Sequence, residues 1–458
     1  MKVIICGGGR VGYNVAKYLS QDGATVSVID ANEDVLQSFS SLDVQTVHGS
    51  ATYIPTLEKA GAQDADVILA VTRSDELNML ICQIASSVFS TKQKMARIRD
   101  QEYLSYRWSE LFSPLHIPVD MVISPEYEVA EYIYENISYT GTFDIFSAFD
   151  NKLRSVATRC KEGAPFDQMP IKLLPQSYKD LPIKIIAITR KETTSICNDE
   201  TVIKSGDIVH FIIEEKFLYQ AMHLFGYDHT PVKQVIIVGG GAVGYLLANL
   251  IEGKKCGINL KIIEQNRARA EYIAPRLKHT IILNGSALDP NLLIEANISD
   301  TDTVVSVTND ERTNILTSIL AKEYPVERTL SLVNTSTYDV LSSNFKVDAL
   351  IHPHKITISN ILRYIRRQQA VKPLHSLLDK AWELMEISVH EHAEGNGLSV
   401  QDIFKQTYGK IVCIMRNFNI VFPTSEERIM PEDKLLVLIK TQHRKKIENI
   451  FRTNYEFF

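Results

Sequence analysis

The sequence predicts an α/β chain built twice over: two doubly wound parallel-sheet domains, each followed by a small α+β domain. Three observations lead there. A glycine-rich loop at the end of a short β-branched run occurs near the start and again just past the midpoint. Short apolar runs alternate with helical stretches behind each loop. Segments well beyond the loops also recur in the same order, which makes the chain a tandem duplication of one unit.

The first strand, Val3-Ile4-Ile5-Cys6, runs into Gly7-Gly8-Gly9-Arg10-Val11-Gly12. Its counterpart, Val235-Ile236-Ile237-Val238, runs into Gly239-Gly240-Gly241-Ala242-Val243-Gly244. One G-x-G-x-x-G is a weak signal, because glycines reach that spacing by chance. Two copies, each after a β-branched run and each with an acid about 20 residues on, Asp30 and Glu264, supply the context of a Rossmann-like dinucleotide site. Val26-Ser27-Val28-Ile29 and Val67-Ile68-Leu69-Ala70-Val71 read as further strands and 76–87 as a helix, so residues 1–123 form the first such domain.

Beyond Pro125, apolar residues at helical spacing over 127–137, ended by Gly141, predict a connecting helix within 124–141. Residues 142–226 are strand-rich and form a small α+β domain, and 227–232, with Pro231, are the linker. The second half repeats the plan as a parallel-sheet domain over 232–351, a connecting segment over 352–370 with its helix at 357–367, and a small domain over 371–458. Gly49-Ser50-Ala51 returns as Gly285-Ser286-Ala287, and Thr72 and Asn78 return as Thr308 and Asn314. Val119-Asp120-Met121-Val122-Ile123-Ser124-Pro125 returns as Val347-Asp348-Ala349-Leu350-Ile351-His352-Pro353.

With 458 residues, 45% hydrophobic and 23% charged, each half can bury a core without disulfides or metals. No stretch approaches the roughly 18 apolar residues of a membrane helix, and the first residues read as a strand rather than a signal peptide. A net charge of -6 argues against nucleic acid as a partner. The six cysteines, Cys6, Cys82, Cys160, Cys197, Cys256 and Cys413, form no C-x-x-C pair, the pattern of free buried thiols in a reducing cytoplasm.

The glycine loops have a mechanical purpose. The first glycine permits the tight turn, the second admits a pyrophosphate to the backbone, and the third lets the helix pack close to its strand. Phosphates then face unpaired N–H groups at a helix N-terminus. A carboxylate at the second strand's end accepts hydrogen bonds from a ribose diol, so Asp30 and Glu264 favour NAD(H) or a plain adenosine nucleotide over a 2′-phosphorylated one. Neither acid excludes ATP or ADP. The candidate cofactor residues are thus Gly7, Gly8, Gly9, Arg10, Val11, Gly12 and Asp30 in one half, and Gly239, Gly240, Gly241, Ala242, Val243, Gly244 and Glu264 in the other. Taken alone, either acid reads as well as a solvated strand-end carboxylate.

The tandem plan, the Thr-x-x-Asp/Glu-x-x-Asn loops at Thr72 and Thr308, and the Ala96-Arg97-Ile98-Arg99-Asp100 run resemble the TrkA family, the cytosolic nucleotide-binding subunits of bacterial Trk potassium-uptake systems. The segment from Ile351 to Ser359 looks like the family's second crossover, and Ile450-Phe451 through Phe457-Phe458 looks like its C-terminal end. The resemblance covers essentially the whole chain and implies tandem RCK modules, each an N-terminal Rossmann-like part and a C-terminal α+β part. It implies a ring-forming homo-oligomer beneath a Trk-type potassium-transporting integral membrane subunit, on the cytoplasmic face of the inner membrane. Thr72, Arg73, Ser74 and Arg99, with Thr308 and Asn309, join the candidate nucleotide residues. Arg10, Arg73, Arg97 and Arg99 are matched by Ala242, Asn309, Ser331 and Val333 in the second half. The first site should therefore favour ATP or ADP, and the second, reliant on backbone N–H groups, NAD(H). Some of these arginines have a second reading, as partners of neighbours such as Asp75 or Asp100.

The competing class is an NAD-dependent oxidoreductase. It needs a substrate domain that sets an acid-base residue against the nicotinamide. The histidines His210, His223, His390 and His392 stand in no recognisable catalytic context. His352-Pro353-His354 and His390-Glu391-His392 place imidazoles two apart and read as surface pairs, with a metal site as the alternative. The apolar connecting helices read as contacts between subunits.

Overall fold

The computed structural model describes residues 1–104, 106–108, 110–139, 141–149, 152–178, 181–191, 193–227, 232–254, 257–335, 338, 347–365, 371–377 and 381–451. Pro231, Cys256, residues 366–370 and the terminal Phe457-Phe458 lie outside them.

The first sheet has six parallel strands: β1 (Lys2–Cys6), β2 (Thr25–Asp30), β3 (Gln45–His48), β4 (Val67–Ala70), β5 (Gln93–Arg97) and β6 (Met121–Ile123). Their spatial order is β3-β2-β1-β4-β5-β6. β1 and β4 are apolar and buried on both faces, as expected where helices cover both sides of a parallel sheet. Strand order reverses between β1 and β4, and a crevice opens there at the strands' C-terminal ends.

A small antiparallel sheet follows, made of β7 (Thr142–Ala148), β8 (Leu153–Arg159), β9 (Lys184–Arg190), β10 (Thr193–Ile196) and β11 (Ile208–Glu214), in the order β10-β9-β11-β8-β7. The second half rebuilds the parallel sheet from β12 (Gln234–Val238), β13 (Asn259–Glu264), β14 (Ile281–Asn284), β15 (Thr303–Ser306), β16 (Arg328–Leu332) and β17 (Ala349–Ile351) in the equivalent order. It ends with a second antiparallel sheet, β18 (Val371–Ser376), β19 (Trp382–Ser388), β20 (Lys410–Arg416), β21 (Asn419–Val421) and β22 (Lys434–Lys440). Doubly wound sheets alternating with small α+β units are the architecture read from the sequence.

The connecting helices correct one expectation. Val129, Ala130, Ile133 and Ile137, on the helix Pro125–Ser138, are buried in the core of the second parallel-sheet domain, against Leu247, Ile251 and Leu330. Ile361, Leu362 and Ile365, on the helix Pro353–Ile365, are buried in the first, among Val15, Leu19 and Val28. The two helices also pack on each other. The faces expected to meet another subunit are therefore buried within the chain, because duplication puts both partners of the exchange on one polypeptide. The second helix begins at Pro353 rather than 357. A proline in the first turn loses no intrahelical bond, and its fixed φ suits the helix.

The small domains join as well. Ala148, Phe149, Leu153 and Ile212 of one sheet share a core with Leu384, Val412, Leu436 and Leu438 of the other. The Phe149 N–H donates to Glu386 Oε2 at 3.0 Å, and Lys410 Nζ donates to the Cys197 carbonyl at 2.8 Å. A fully buried guanidinium ties a third junction: Arg328, on β16, donates to the carbonyls of Asn136, Tyr139 and Thr142, where the first connecting helix passes into the first small domain. Burial pushes its pKa down to about 10, which leaves it charged at neutral pH.

His352 departs from the surface reading: it is buried, with its ring edge-on to His354. Among the described residues no group of His, Cys, Asp or Glu is arranged to hold a metal. Cys6, Cys82, Cys160, Cys197 and Cys413 are buried without disulfides, and burial pushes the Cys82 thiol up to about 12, far from a reactive thiolate.

Replacing Ile133 by Ala removes a side chain from a core shared by both halves, and should destabilise the chain by about 2–5 kcal/mol in urea unfolding. A loss below about 0.5 kcal/mol, the size of a surface substitution, would mean that the helix face is not buried as described.

Candidate functional site

Each glycine loop sits at the C-terminal end of its sheet's first strand, at the point where strand order reverses. Gly7 has φ +114°, and a Cβ there would lie 2.8 Å from the Val71 carbonyl oxygen; Gly239, at φ +105°, is equally confined by Thr308. A Cβ on Gly12 or Gly244 would collide with the carbonyl oxygen of Gly7 or Gly239, so the third glycine sets the close approach of helix to strand. The middle glycine differs. A Cβ on Gly9 or Gly241 meets nothing within 4 Å, and both residues have negative φ. The protein itself does not require glycine at these two positions. What a side chain would fill is the space in front of the helix N-terminus, where a pyrophosphate would lie.

The helices Arg10–Gln21 and Ala242–Gly253 begin there, capped by Gly9 and Gly241 with no side-chain hydrogen bond. Their first-turn N–H groups therefore remain available to an anion. Arg10, Val11, Ala242 and Val243 form that first turn, with the Arg10 side chain exposed.

The acids occupy equivalent places. Asp30 accepts from Gly8 N at 2.6 Å and Asn32 N at 2.8 Å; Glu264 accepts from Gly240 N at 2.6 Å and Asn266 N at 2.7 Å. Although one carboxylate is longer by a methylene, both are clamped against the loop by two backbone donors. Each oxygen keeps a further lone pair for a ribose hydroxyl.

Across the crevice, the Thr-to-Asn motif holds the loop after β4. Asn78 is fully buried. Its Oδ1 accepts from Thr72 N at 2.9 Å and Thr72 Oγ1 at 2.7 Å, and its Nδ2 donates to the Arg97 carbonyl at 2.8 Å. Asn314 makes the same set with Thr308 and the Leu332 carbonyl. The hydroxyls of Thr72 and Thr308 thus donate inside the motif, and they also accept from Ser74 N at 3.3 Å and Asp310 N at 3.2 Å, so both are occupied in holding the loop. Ser74 caps the helix Asp75–Ser87 by accepting from Leu77 N at 3.1 Å. Arg73 and Asn309 are exposed beside their threonines.

The arginines divide. Arg97 Nη2 lies 3.0 Å from Glu126 on the connecting helix. Arg99 Nε lies 3.8 Å from Asp75, a long pair at a side chain 43% exposed, so its guanidinium keeps donors for another anion. Among the described residues no carboxylate pairs with Arg10 or Arg73. The strand register also corrects the matching of halves: Arg97 pairs with Ile123 as Leu332 pairs with Ile351, so the counterparts of Arg97 and Arg99 are Leu332 and Asn334, one residue beyond Ser331 and Val333.

A residue outside the sequence-based set also reaches the second loop. Arg269 Nε donates to the Gly240 carbonyl at 2.6 Å. The second site therefore does not rely on backbone N–H groups alone. The signal was present in Asn266-Arg267-Ala268-Arg269, a cap and first turn immediately after the acid.

The TrkA-N domain family model matches residues 3–125 and 235–353. The Trk system potassium uptake protein TrkA of Azorhizobium caulinodans is 35% identical to the chain over 459 residues, covering 100% of each. That of Halomonas elongata is 31% identical over 463 residues with the same coverage. Among solved structures, the crystal structure of the GsuK RCK domain matches with a TM-score of 0.62 and 16% identity, over 98% of this chain and 94% of that one. The GsuK channel bound to NAD matches with a TM-score of 0.63 and 16% identity, over 98% of this chain and 78% of the other. At that identity the likeness shows the fold.

Replacing Asn78 by Ala strands the Thr72 N–H and the Arg97 carbonyl in a buried setting. It should cost about 1–3 kcal/mol in thermal or urea unfolding, and Asn314→Ala should cost the same. Unchanged stability in both variants would show that the motif does not hold the loop.

Proposed function

The chain belongs to the TrkA family, and from that premise we propose that it is the nucleotide-binding regulatory subunit of a Trk potassium-uptake system, binding one adenine nucleotide in each half. The observation that carries the reading is the pair of middle glycines, Gly9 and Gly241, which the protein does not require and a bound pyrophosphate would. The clamped carboxylates of Asp30 and Glu264 suit an unphosphorylated ribose 2′-position, and hence NAD(H), ADP or ATP.

The sites differ in charge. In the first half, Arg10 in the first turn after the glycine loop, Arg73 beside Thr72 and the half-free Arg99 beyond β5 would suit a polyphosphate. The second, with Ala242, Asn309 and Asn334 in their places, suits the less charged NAD(H). Binding acts by linkage: a nucleotide shifts the subunit's shape only by its differential affinity for two shapes, about 1–3 kcal/mol per site. Several sites on one assembly together reach the roughly 5.5 kcal/mol that inverts a population. No turnover belongs to this reading. His210 is buried in the small-domain sheet and bonded to Thr189, away from either crevice.

Assembly with further copies must use faces other than the connecting helices. Leu77 and Leu80 on the helix Asp75–Ser87 stay exposed, as does Leu316 on the helix Glu311–Ala321, and Leu80 and Leu316 are equivalent positions. An exposed leucine at the same helix position in both halves suits a ring of such chains. No helix among the described residues is long and apolar enough to cross a membrane. The transporting partner is then a separate integral membrane subunit, with this chain on its cytoplasmic face.

Gly9→Val and Gly241→Val should each fold and each lose one site in calorimetric titration. ATP binding should fall mainly in the first variant and NADH binding mainly in the second. Full stoichiometry in both variants would refute the site assignment. Leu80→Glu combined with Leu316→Glu should shift the assembly toward single chains in analytical ultracentrifugation, and an unchanged oligomer would place the contacts elsewhere.

A further inference from the structure

We propose that opposite charge on the two connecting helices is what makes the halves of this chain pair with each other and not with copies of themselves.

Apolar packing cannot make that choice. The halves are duplicates, so Val129, Ile133 and Ile137 on the helix Pro125–Ser138 are matched, at the same distances from the initial proline, by Thr357, Ile361 and Ile365 on the helix Pro353–Ile365. All six are buried. When two chains meet, the pocket that each helix fills is offered by both halves of both chains, and buried faces this alike discriminate poorly between them.

The charges differ instead. The first helix carries Glu126, Glu128, Glu131 and Glu135 and neither Lys nor Arg; the second carries Lys355 and Arg363 and no acid. The helix dipole accounts for acids in a first turn, such as Glu126 and Glu128, but not for Lys355 in the first turn of the second helix. Glu135 has a partner in its own half, Arg154 at 3.4 Å. The contact between halves centres on Glu128 and Arg363. The two helices pack on each other, with Glu128 against Thr357 and Asn360. The Arg363 charge interacts with Glu135 and Glu128 of the first helix and with Glu386 of the second small domain. Glu128 Oε2 is buried and has no hydrogen-bond partner among the described residues, so its charge depends on a cation nearby.

The repeat shows what the alternatives would be. Counted from Pro125 and Pro353, Arg363 is the counterpart of Glu135, and Ile356 that of Glu128. Two first halves joined in the same geometry would set Glu128 against Glu135, acid on acid. Two second halves would set Arg363 against Ile356, without either carboxylate of the first helix. Only the unlike pair brings cation and carboxylates together, the device by which helices with similar apolar seams choose partners.

Urea unfolding of the full-length chain at about pH 8, where carboxylates are ionised, tests this. Arg363→Glu recreates within one chain the acid-on-acid contact of two first halves, so its cost measures the discrimination. It should lower the ratio of folded to unfolded chain at least about tenfold. Lys445→Glu makes the same change of charge at an exposed position on the helix Arg444–Phe451 and should move the ratio less than about twofold. Glu128→Lys alone should also destabilise, by setting two cations together, yet added to Arg363→Glu it should restore most of the loss. Salt should narrow the gap between Arg363→Glu and the parent chain, because it screens repulsion. An Arg363→Glu chain as stable as Lys445→Glu, or a double variant no better than the worse single one, would overturn the inference. If Glu128→Lys does not fold in either background, Glu128→Gln and Arg363→Gln decide: the double variant should lose less than the product of the single losses, and strictly multiplicative losses would overturn the inference.

Discussion

Val129, Ala130, Ile133 and Ile137 leave the half that encodes them to fill the core of the other, and Ile361, Leu362 and Ile365 make the reverse journey. Each parallel-sheet domain is thus completed by a helix from its counterpart, and neither half covers its own apolar face. At about 25 cal/mol per Å² of apolar surface, several fully buried aliphatic side chains in each direction outweigh any single polar contact between the halves. The sheet-on-sheet packing of the small domains and the Arg328 junction follow from this arrangement, since the crossed helices deliver the small domains to the same side.

The sites are wired into that frame by few bonds. In the first half, Thr72 binds Asn78, Asn78 binds the Arg97 carbonyl, and the Arg97 guanidinium meets Glu126 on the connecting helix, so the crevice rim and the helix are three contacts apart. The second half repeats the first two links with Thr308, Asn314 and Leu332, but leucine ends the chain of polar contacts there. Its connection runs instead through Arg328, at the other end of the same strand, to the end of that helix. Both rims are thus tied to the same helix, the first near its start through Glu126 and the second at its end through Asn136 and Tyr139.

The duplicated sheets and the placing of Asp30 and Glu264 were legible because local chemistry dictates them: β-branched runs buried on both faces, glycines confined by Val71 and Thr308, and acids within reach of the loop N–H groups. The destination of the connecting helices was not. An apolar helical face announces burial without naming its partner, and a partner on the same chain looks identical in sequence to one on another. The one-residue slip that matched Arg97 with Ser331 arose where helix and loop lengths differ between halves, and only strand pairing with Ile123 and Ile351 resolves it. Arg269 was overlooked for a related reason. Its counterpart is Val35, so a comparison of halves that searched the second for the first half's arginines could not find one that the first half lacks.

If the chain is the regulatory subunit proposed above, nucleotide in these two crevices changes what a potassium-transporting partner does. Potassium flux into liposomes carrying a Trk-type membrane subunit, with and without this chain and with ATP, ADP, NADH or NAD⁺ added singly, tests it most directly. The expected result is flux that depends on nucleotide only when the chain is present, with the dependence removed when Gly9 and Gly241 are both replaced by Val. Flux that ignores the chain, or that responds to nucleotide equally with both glycine loops blocked, would contradict it.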